Sequence, residues 1–275
     1  MKKLLVVTDL SVSSISAIYF AYKISQIEKA TLVITHVYSL SKPKNWRPQR
    51  FDKYHNARKE FLLTKLNNLL NQIFNTIDGP HVNCEIDLQM NSNSVNAILN
   101  CVVRHKCTYM FVSNQVNAKH SSIKMISNIL IAKSKIPVFS VPISYKLKKI
   151  DSICFASNMT NYQKEIKKIA SFVGMQNIKI MLLHIFFPSN ILLKANTLEG
   201  RLLKKTGLSI KIKYIQRSQS RSLSEDIIIG IKKTKPSLIV YFMDRSTQIT
   251  NKSPNSIGFS ISTFFNKTPI LFFKR

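Results

Sequence analysis

Short, nearly unbroken apolar runs alternate along this chain with stretches of helical period. The runs of the first half recur in the same order in the second. KKLLVVTDLS (2–11) is echoed by SICFASNMT (152–160), TLVITHVY (31–38) by KIMLLHIF (179–186), TYMFVS (108–113) by SLIVYF (237–242), and KIPVFSV (135–141) by KTPILFF (267–273). His36 and His184 occupy the same place in their copies. Runs of this length and composition predict strands, and a further strand is expected over 209–215. The continuously apolar fourth and fifth strands of each half suit a parallel sheet covered on both faces. Between the runs, Ile15, Ile18, Tyr19, Tyr22 and Ile24 mark the apolar face of one helix, and Ile166, Ile169, Ala170 and Val173 that of its counterpart. Thr160 with Gln163 and Ser222 with Glu225 have the spacing of capping boxes.

Each half therefore reads as five strands alternating with about four helices, a doubly wound, Rossmann-like α/β unit. The fold class is α/β, two five-stranded parallel-sheet domains packed as a pseudo-dimer, over 1–145 and 149–275. The short basic segment ISYKLKK (143–149) joins them. A chain of 275 residues suits two modest domains. The copies differ chiefly between strands 2 and 3, where 46 positions separate His36 from Val82 but 25 separate His184 from Ser209. The longer connection carries SKPKNWRPQRFDKYHNARK (41–59), with seven Lys/Arg, one acid and the only Trp. It is expected to be a solvated loop, followed by an amphipathic helix through Phe61, Leu62, Leu66, Leu69, Leu70 and Ile73.

Hydrophobic residues at 45% and charged residues at 20% give enough apolar material for a core and argue against disorder. The longest apolar stretch, Ile178 to Leu193, is broken by Lys179, His184 and Pro188, so no membrane span is expected. Lys2 and Lys3 followed by Leu4–Val7 start like a secretory signal, but Asp9 cuts the apolar segment short, and a first strand is expected instead. Cys84, Cys101, Cys107 and Cys154 form no Cys-x-x-Cys pair, and no His is read at metal spacing from them. Neither a zinc site nor a disulfide framework is expected, and reduced thiols in the cytoplasm fit. Motifs of serine hydrolases, zinc proteases and P-loops are absent, and no nucleophile recurs beside His36 and His184, which are expected to be structural. The chain is not expected to be an enzyme.

VVTDLS (6–11), a helix, LVITHV (32–37) and the Ser-Lys-Ile-Pro-Val segment (134–138) together resemble the universal stress protein family. FASNMT (155–160) opens a second copy, so the resemblance covers nearly the whole chain as a tandem pair. It implies an adenine nucleotide alpha hydrolase-like fold and a role in stress response or signalling. It also implies pairing of domains through the last strands, here VFSVP (138–142) and ILFF (270–273), between the two repeats or in a homo-oligomer. Nucleotide-binding members of this family carry Gly-x-x-Gly after strand 4 and a Gly-Ser or Gly-Thr about nine residues on, because backbone amides must approach phosphates where a Cβ would collide. The corresponding stretch here, VSNQVNAKHSSIKMISN (112–128), has no glycine. Ser113 and Val116 stand at the two glycine positions, with Ser127 near the Gly-Ser; in the second half Phe242 and Arg245 stand there, with Gly258 alone nearby. What the resemblance leaves of a cofactor site is Thr8, Asp9, Val37, Ser113, Asn114 and Ser127, a vestigial adenosine and phosphate pocket, with Asn158 in place of the acid in the second copy. Asp9 is expected to make a helix cap or a strand-end turn rather than to hold ribose, and no cofactor, ATP included, is expected to bind.

Charge adds one alternative. With 41 Lys+Arg against 13 Asp+Glu, the net charge of +28 favours polyanions such as nucleic acid, or acidic proteins, as partners. Two segments concentrate it, 41–59 and RLLKKTGLSIKIKYIQRSQSR (201–221), the latter with seven Lys/Arg and no acid. Lys42, Lys44, Arg47, Arg50, Lys211, Lys213 and Arg217 are the candidates for phosphate contacts. Strand alternation places Lys211 and Lys213 on one face, opposite Ile210, Ile212 and Tyr214. The remaining alternative is residual ATP or adenosine binding in the first domain, with slow hydrolysis.

Overall fold

The computed structural model describes residues 1–77, 82–114, 122–146, 148–174, 178–187, 195–243 and 264–275. The chain divides into two compact units, Met1–Ser144 and Tyr145–Arg275. In the first run β1 (Lys3–Val7), α1 (Val12–Glu28), β2 (Thr31–Tyr38), α2 (Pro48–Asn75), β3 (Cys84–Met90), α3 (Ser94–Arg104), β4 (Tyr109–Asn114), α4 (Ser122–Lys133) and β5 (Val138–Pro142). The second has β6 (Ser152–Ser157), α5 (Tyr162–Val173), β7 (Lys179–Phe186), α6 (Ala195–Thr206), β8 (Ile210–Gln216), α7 (Leu223–Thr234), β9 (Leu238–Met243) and β10 (Ile270–Lys274).

Within the first unit the strands lie in the order β3-β2-β1-β4-β5, all parallel, and within the second in the matching order β8-β7-β6-β9-β10. The winding direction reverses between β1 and β4, and between β6 and β9. In such sheets the carboxyl ends at that reversal leave a crevice for ligands. Central strands read as continuous apolar runs because helices cover both faces. Leu4, Leu5 and Val6 of β1 and Leu32, Val33 and Ile34 of β2 are wholly buried. Phe20 of α1 meets Phe139 of β5 edge-on at 5.3 Å, and Phe139 stacks on Phe111 of β4 at 4.6 Å. This aromatic cluster fixes α1 over β4 and β5.

Local rules explain most element ends, with three departures from expectation. In α1, Ile15 and Tyr19 are only half-buried, while Ser14, Ala17, Phe20, Ala21 and Ser25 join Ile18, Tyr22 and Ile24 in the buried face. Small residues there let the helix lie close to the sheet. Much of the expected loop over 41–59 is helix, because Pro48 sits at the first helical position, where its missing N–H costs nothing. The resulting α2 has 28 residues and is about 42 Å long. Its fully buried side chains begin only at Leu62, with Leu66, Leu70 and Ile73 following, and Phe61 is exposed. Finally, Ser222 and Glu225 do form a capping box at the start of α7, whereas at α5 the N-cap position falls on Asn161 rather than Thr160, with no side-chain cap bond.

With so few glycines, lysines occupy left-handed helix ends: Lys29 after α1 and Lys235 after α7 have φ of 49° and 46°. No helix of the described residues is long and apolar enough to cross a membrane.

Candidate functional site

The carboxyl end of β1 turns into α1 through a tight, strained loop that the second unit repeats. Asp9 Oδ1 accepts hydrogen bonds from Ser11 N (3.1 Å) and Ser11 Oγ (2.6 Å), and Asn158 Oδ1 accepts one from Thr160 N (3.1 Å). Thr8 Oγ1 accepts from Leu10 N at 3.0 Å, and Ser157 Oγ from Met159 N at 3.2 Å. Leu10 and Met159 take left-handed φ values of 62° and 65° in both copies. Of the two structural roles expected of Asp9, it takes the strand-end turn, in the Asx geometry available to both Asp and Asn, while Ser11 stands at the cap of α1.

The two histidines brace these turns. His36 Nδ1 lies 2.9 Å from the Thr8 carbonyl, and His184 Nδ1 lies 3.2 Å from the Ser157 carbonyl. Burial lowers the pKa of His36, against opposing effects from the Thr8 hydrogen bond and the Asp9 charge. Because a carbonyl can only accept, Nδ1 carries its hydrogen and donates to Thr8. Each histidine ties the end of the second strand to the end of the first.

Around β1 and β4 the structure gathers five of the six candidate pocket residues. Thr8, Asp9, Val37, Ser113 and Ser127 line a cavity of about 100 Å³, together with Ser14 and Ile98. Asn114, buried at the end of β4, lies outside that lining. The polar groups here bond to one another. Thr8 Oγ1 and Ser14 Oγ are 2.7 Å apart, Ser14 Oγ donates to the Ser11 carbonyl (2.8 Å), Ser113 Oγ donates to the Ser13 carbonyl, and Ser127 Oγ donates to the Ser113 carbonyl (3.0 Å). Val116 lies outside the described residues, as do Arg245 and Gly258 of the second unit.

The second unit treats the same place differently. Ser157 Oγ donates to Glu165 Oε2 at 2.6 Å, and Arg275 Nε donates to Glu165 Oε1 at 2.9 Å. Glu165 stands in the first turn of α5 and is buried. Phe242 is buried at the end of β9, stacked on Phe273 at 5.4 Å and edge-on to Phe155 at 6.2 Å.

The basic candidates separate into two groups. Lys42, Lys44, Arg47 and Arg50 are exposed at the start of α2. There the Arg50 guanidinium lies over Trp46 (4.6 Å), Trp46 meets Tyr54 edge-on (5.4 Å), and Arg58 lies over Phe61 (5.3 Å). On β8, Lys211 and Lys213 share a face as alternation predicts, and Arg217 follows the strand. Although 201–221 itself has no acid, the fold brings acids in from outside it: Glu199 pairs with Lys211 at 3.1 Å, and Asp226 pairs with Arg217 at 2.8 Å and Arg221 at 2.9 Å. Lys213 is half-buried on the same face as Lys211. Asp226 is itself fully buried; burial pulls its carboxyl up, but the hydrogen bonds from Arg221, the Ser218 amide and Arg217 outweigh this and hold it below the usual carboxylate range.

One cluster escaped the sequence reading. Asp87 of β3 meets Cys101 and His105 of α3 and its C-cap, with Oδ2 lying 3.0 Å from Cys101 Sγ and 2.9 Å from His105 Nε2. The overlooked signal is the Cys101-x-x-x-His105 spacing, four residues on one helix face. All four cysteines are free. Burial, then Asp87, pushes the Cys101 thiol up to about 12.

Two parallel units wound alike, with their strands in matching order, define a tandem, doubly wound α/β protein. The solved structures agree. A universal stress protein from Archaeoglobus fulgidus DSM 4304 superposes with a TM-score of 0.70 at 14% identity, over 99% of this chain and 96% of that one. Two Pseudomonas aeruginosa chains also superpose with TM-scores of 0.59 at 12% identity. One, from strain PAO1, is of unknown function and matches over 100% of this chain and 92% of its own; the other, from UCBPP-PA14, carries the universal stress name and matches over 100% and 93%. No family model matches the sequence, and no curated protein matches it. The likeness is one of fold, and it extends over both halves of the chain.

Proposed function

We propose that this chain is a non-catalytic tandem member of the universal stress family, a cytoplasmic scaffold or signalling protein of the stress response that does not bind a nucleoside triphosphate. One observation carries this reading: the hydroxyls of Thr8, Ser113 and Ser127 are engaged by Ser14 and by backbone carbonyls around a space of about 100 Å³. Pockets that enclose drug-sized ligands measure about 300–1,000 Å³. A phosphate would need free donors at close backbone approach, and Ser113 presents a side chain turned to the Ser13 carbonyl instead. In the second unit Glu165, Arg275 and Phe242 occupy the corresponding region with structural contacts. Free thiols in all four cysteines suit a reducing compartment. Isothermal calorimetry with ATP and magnesium tests the reading. No saturable heat is expected; one-site binding abolished by Asp9→Ala would replace it with residual nucleotide binding.

A second reading, binding of single-stranded nucleic acid, is supported by the start of α2. Trp46, Arg50, Tyr54, Arg58 and Phe61 alternate aromatic and guanidinium groups, with Tyr54 and Phe61 exposed. Bases stack on such rings while arginines contact phosphates. Fluorescence titration with a short single strand at low salt should show binding that weakens steeply with added salt. Arg50→Ala with Arg58→Ala should reduce both the affinity and the salt slope, and absence of binding at low salt removes the reading.

A further inference from the structure

The edge strand β3 and helix α3 converge on a group of side chains that the crevice at β1 does not use. One donor atom from each of Asp87, Cys101 and His105 lies within 4.8 Å of the others. We propose that Asp87, Cys101 and His105 form a binding site for a borderline divalent cation of the zinc type. The donor set decides the class. A thiolate, an imidazole and a carboxylate together suit Zn²⁺ or Co²⁺, whereas the hard cations Mg²⁺ and Ca²⁺ take oxygen throughout. Donors about 2.0–2.3 Å from a tetrahedral ion stand roughly 3.3–3.8 Å apart. The separations of 3.0 and 2.9 Å reach that range through small side-chain adjustments.

The surroundings supply what a bound ion requires. Glu85 Oε2 lies 3.3 Å from His105 Nδ1, and Lys3 holds Glu85 through contacts of 2.6 and 2.7 Å. A carboxylate accepting from Nδ1–H leaves the Nε2 lone pair directed at the ion, the arrangement that orients metal-ligating histidines. Cys101 is closed inside the unit, while the side chains of Asp87 and His105 are 12% and 20% exposed, so the approach is from the solvent side. Two of the chain's thirteen acids, Asp87 and Glu85, meet here in a strongly basic protein. Arg104 bonds to Asp87 and thereby competes with a cation; its side chain is 55% exposed and can turn outward into water. On binding, the Cys101 thiol proton and any proton on His105 Nε2 pass to solvent, and a fourth position stays open at the mouth for water.

The test is titration of the chelator-treated full chain with Co²⁺. One equivalent should produce the visible bands of a tetrahedral site and a near-ultraviolet thiolate-to-cobalt band, both lost on adding Zn²⁺. Cys101→Ser should abolish the near-ultraviolet band while Cys84→Ser and Cys107→Ser retain it. His105→Gln, at a partly exposed helix end, should weaken binding sharply, and Glu85→Gln should weaken it by about tenfold or more. Arg104→Ala should strengthen it. Circular dichroism checks the fold of each variant; should Cys101→Ser unfold, His105→Gln and Arg104→Ala decide. Absence of a thiolate band with the wild-type chain, or equal binding by wild type and His105→Gln, would overturn the proposal and leave the cluster as a structural hydrogen-bond network.

Discussion

Arg275→Ala probes most directly what fills the strand-end region of the second unit. Glu165 is 2% exposed and is held by two contacts, Ser157 Oγ at 2.6 Å and Arg275 Nε at 2.9 Å. Removing the guanidinium leaves a buried carboxylate with one neutral donor, a loss of about 3–5 kcal/mol for a broken buried pair. Glu165→Gln is milder. The amide still accepts from Ser157, and the Arg275 side chain, 24% exposed, reaches water, so about 1.5–3 kcal/mol is expected for one charged hydrogen bond. The ordering matters more than either value: the arginine variant should lose more than the glutamine variant. The double variant should lose less than the sum by about 0.5–3 kcal/mol, because it never strands the charge. Urea unfolding followed by far-ultraviolet circular dichroism measures all three. A loss below about 1 kcal/mol for Arg275→Ala, or an inverted order, would refute the view that Glu165 and Arg275 form a buried structural pair there.

Three further outcomes are expected. Asp226 has a folded-state pKa below its unfolded value, so the stability it adds is fully present above the unfolded value and is lost as pH falls through the folded one. Asp226→Asn should therefore be less stable than wild type near neutrality, and the gap should close below about pH 4 in acid-unfolding curves. Lys29→Gly removes the steric cost of a left-handed side chain at φ 49° and should raise stability by about 1 kcal/mol, read as a higher urea midpoint; a lower midpoint would contradict the cap geometry. Phe111→Ala, fully buried and stacked on Phe139, should cost about 3–5 kcal/mol by the same measurement, whereas a loss under 1 kcal/mol would mean that the cluster is not a tightly packed core.

The basic segments show how far local reading reaches. Along 201–221 nothing opposes the positive charge, yet Asp226 and Glu199 lie just beyond its ends and fold back on it. At 41–59 Pro48 was the local sign of a helix start, outweighed by the density of charge around it. The spacing of Cys101 and His105 was equally local, but two donors on a helix face mean little until an acid meets them.

What the sequence alone determined is the repeated order of strands and helices. Burial on both faces forces continuous apolar runs, and these coincide with β2 and β7 residue for residue, while short-range hydrogen bonding places the start of α7 at Ser222. Tertiary structure decided everything that rests on contacts between distant positions. Ser113 reaches Ser13 because β4 lies beside β1 at the winding reversal, Arg275 reaches Glu165 across 110 positions, and Asp87 reaches Cys101 and His105 because α3 packs back over the sheet edge. Periodicity records which face of an element is buried; only the closing of the sheet chooses which polar side chains meet.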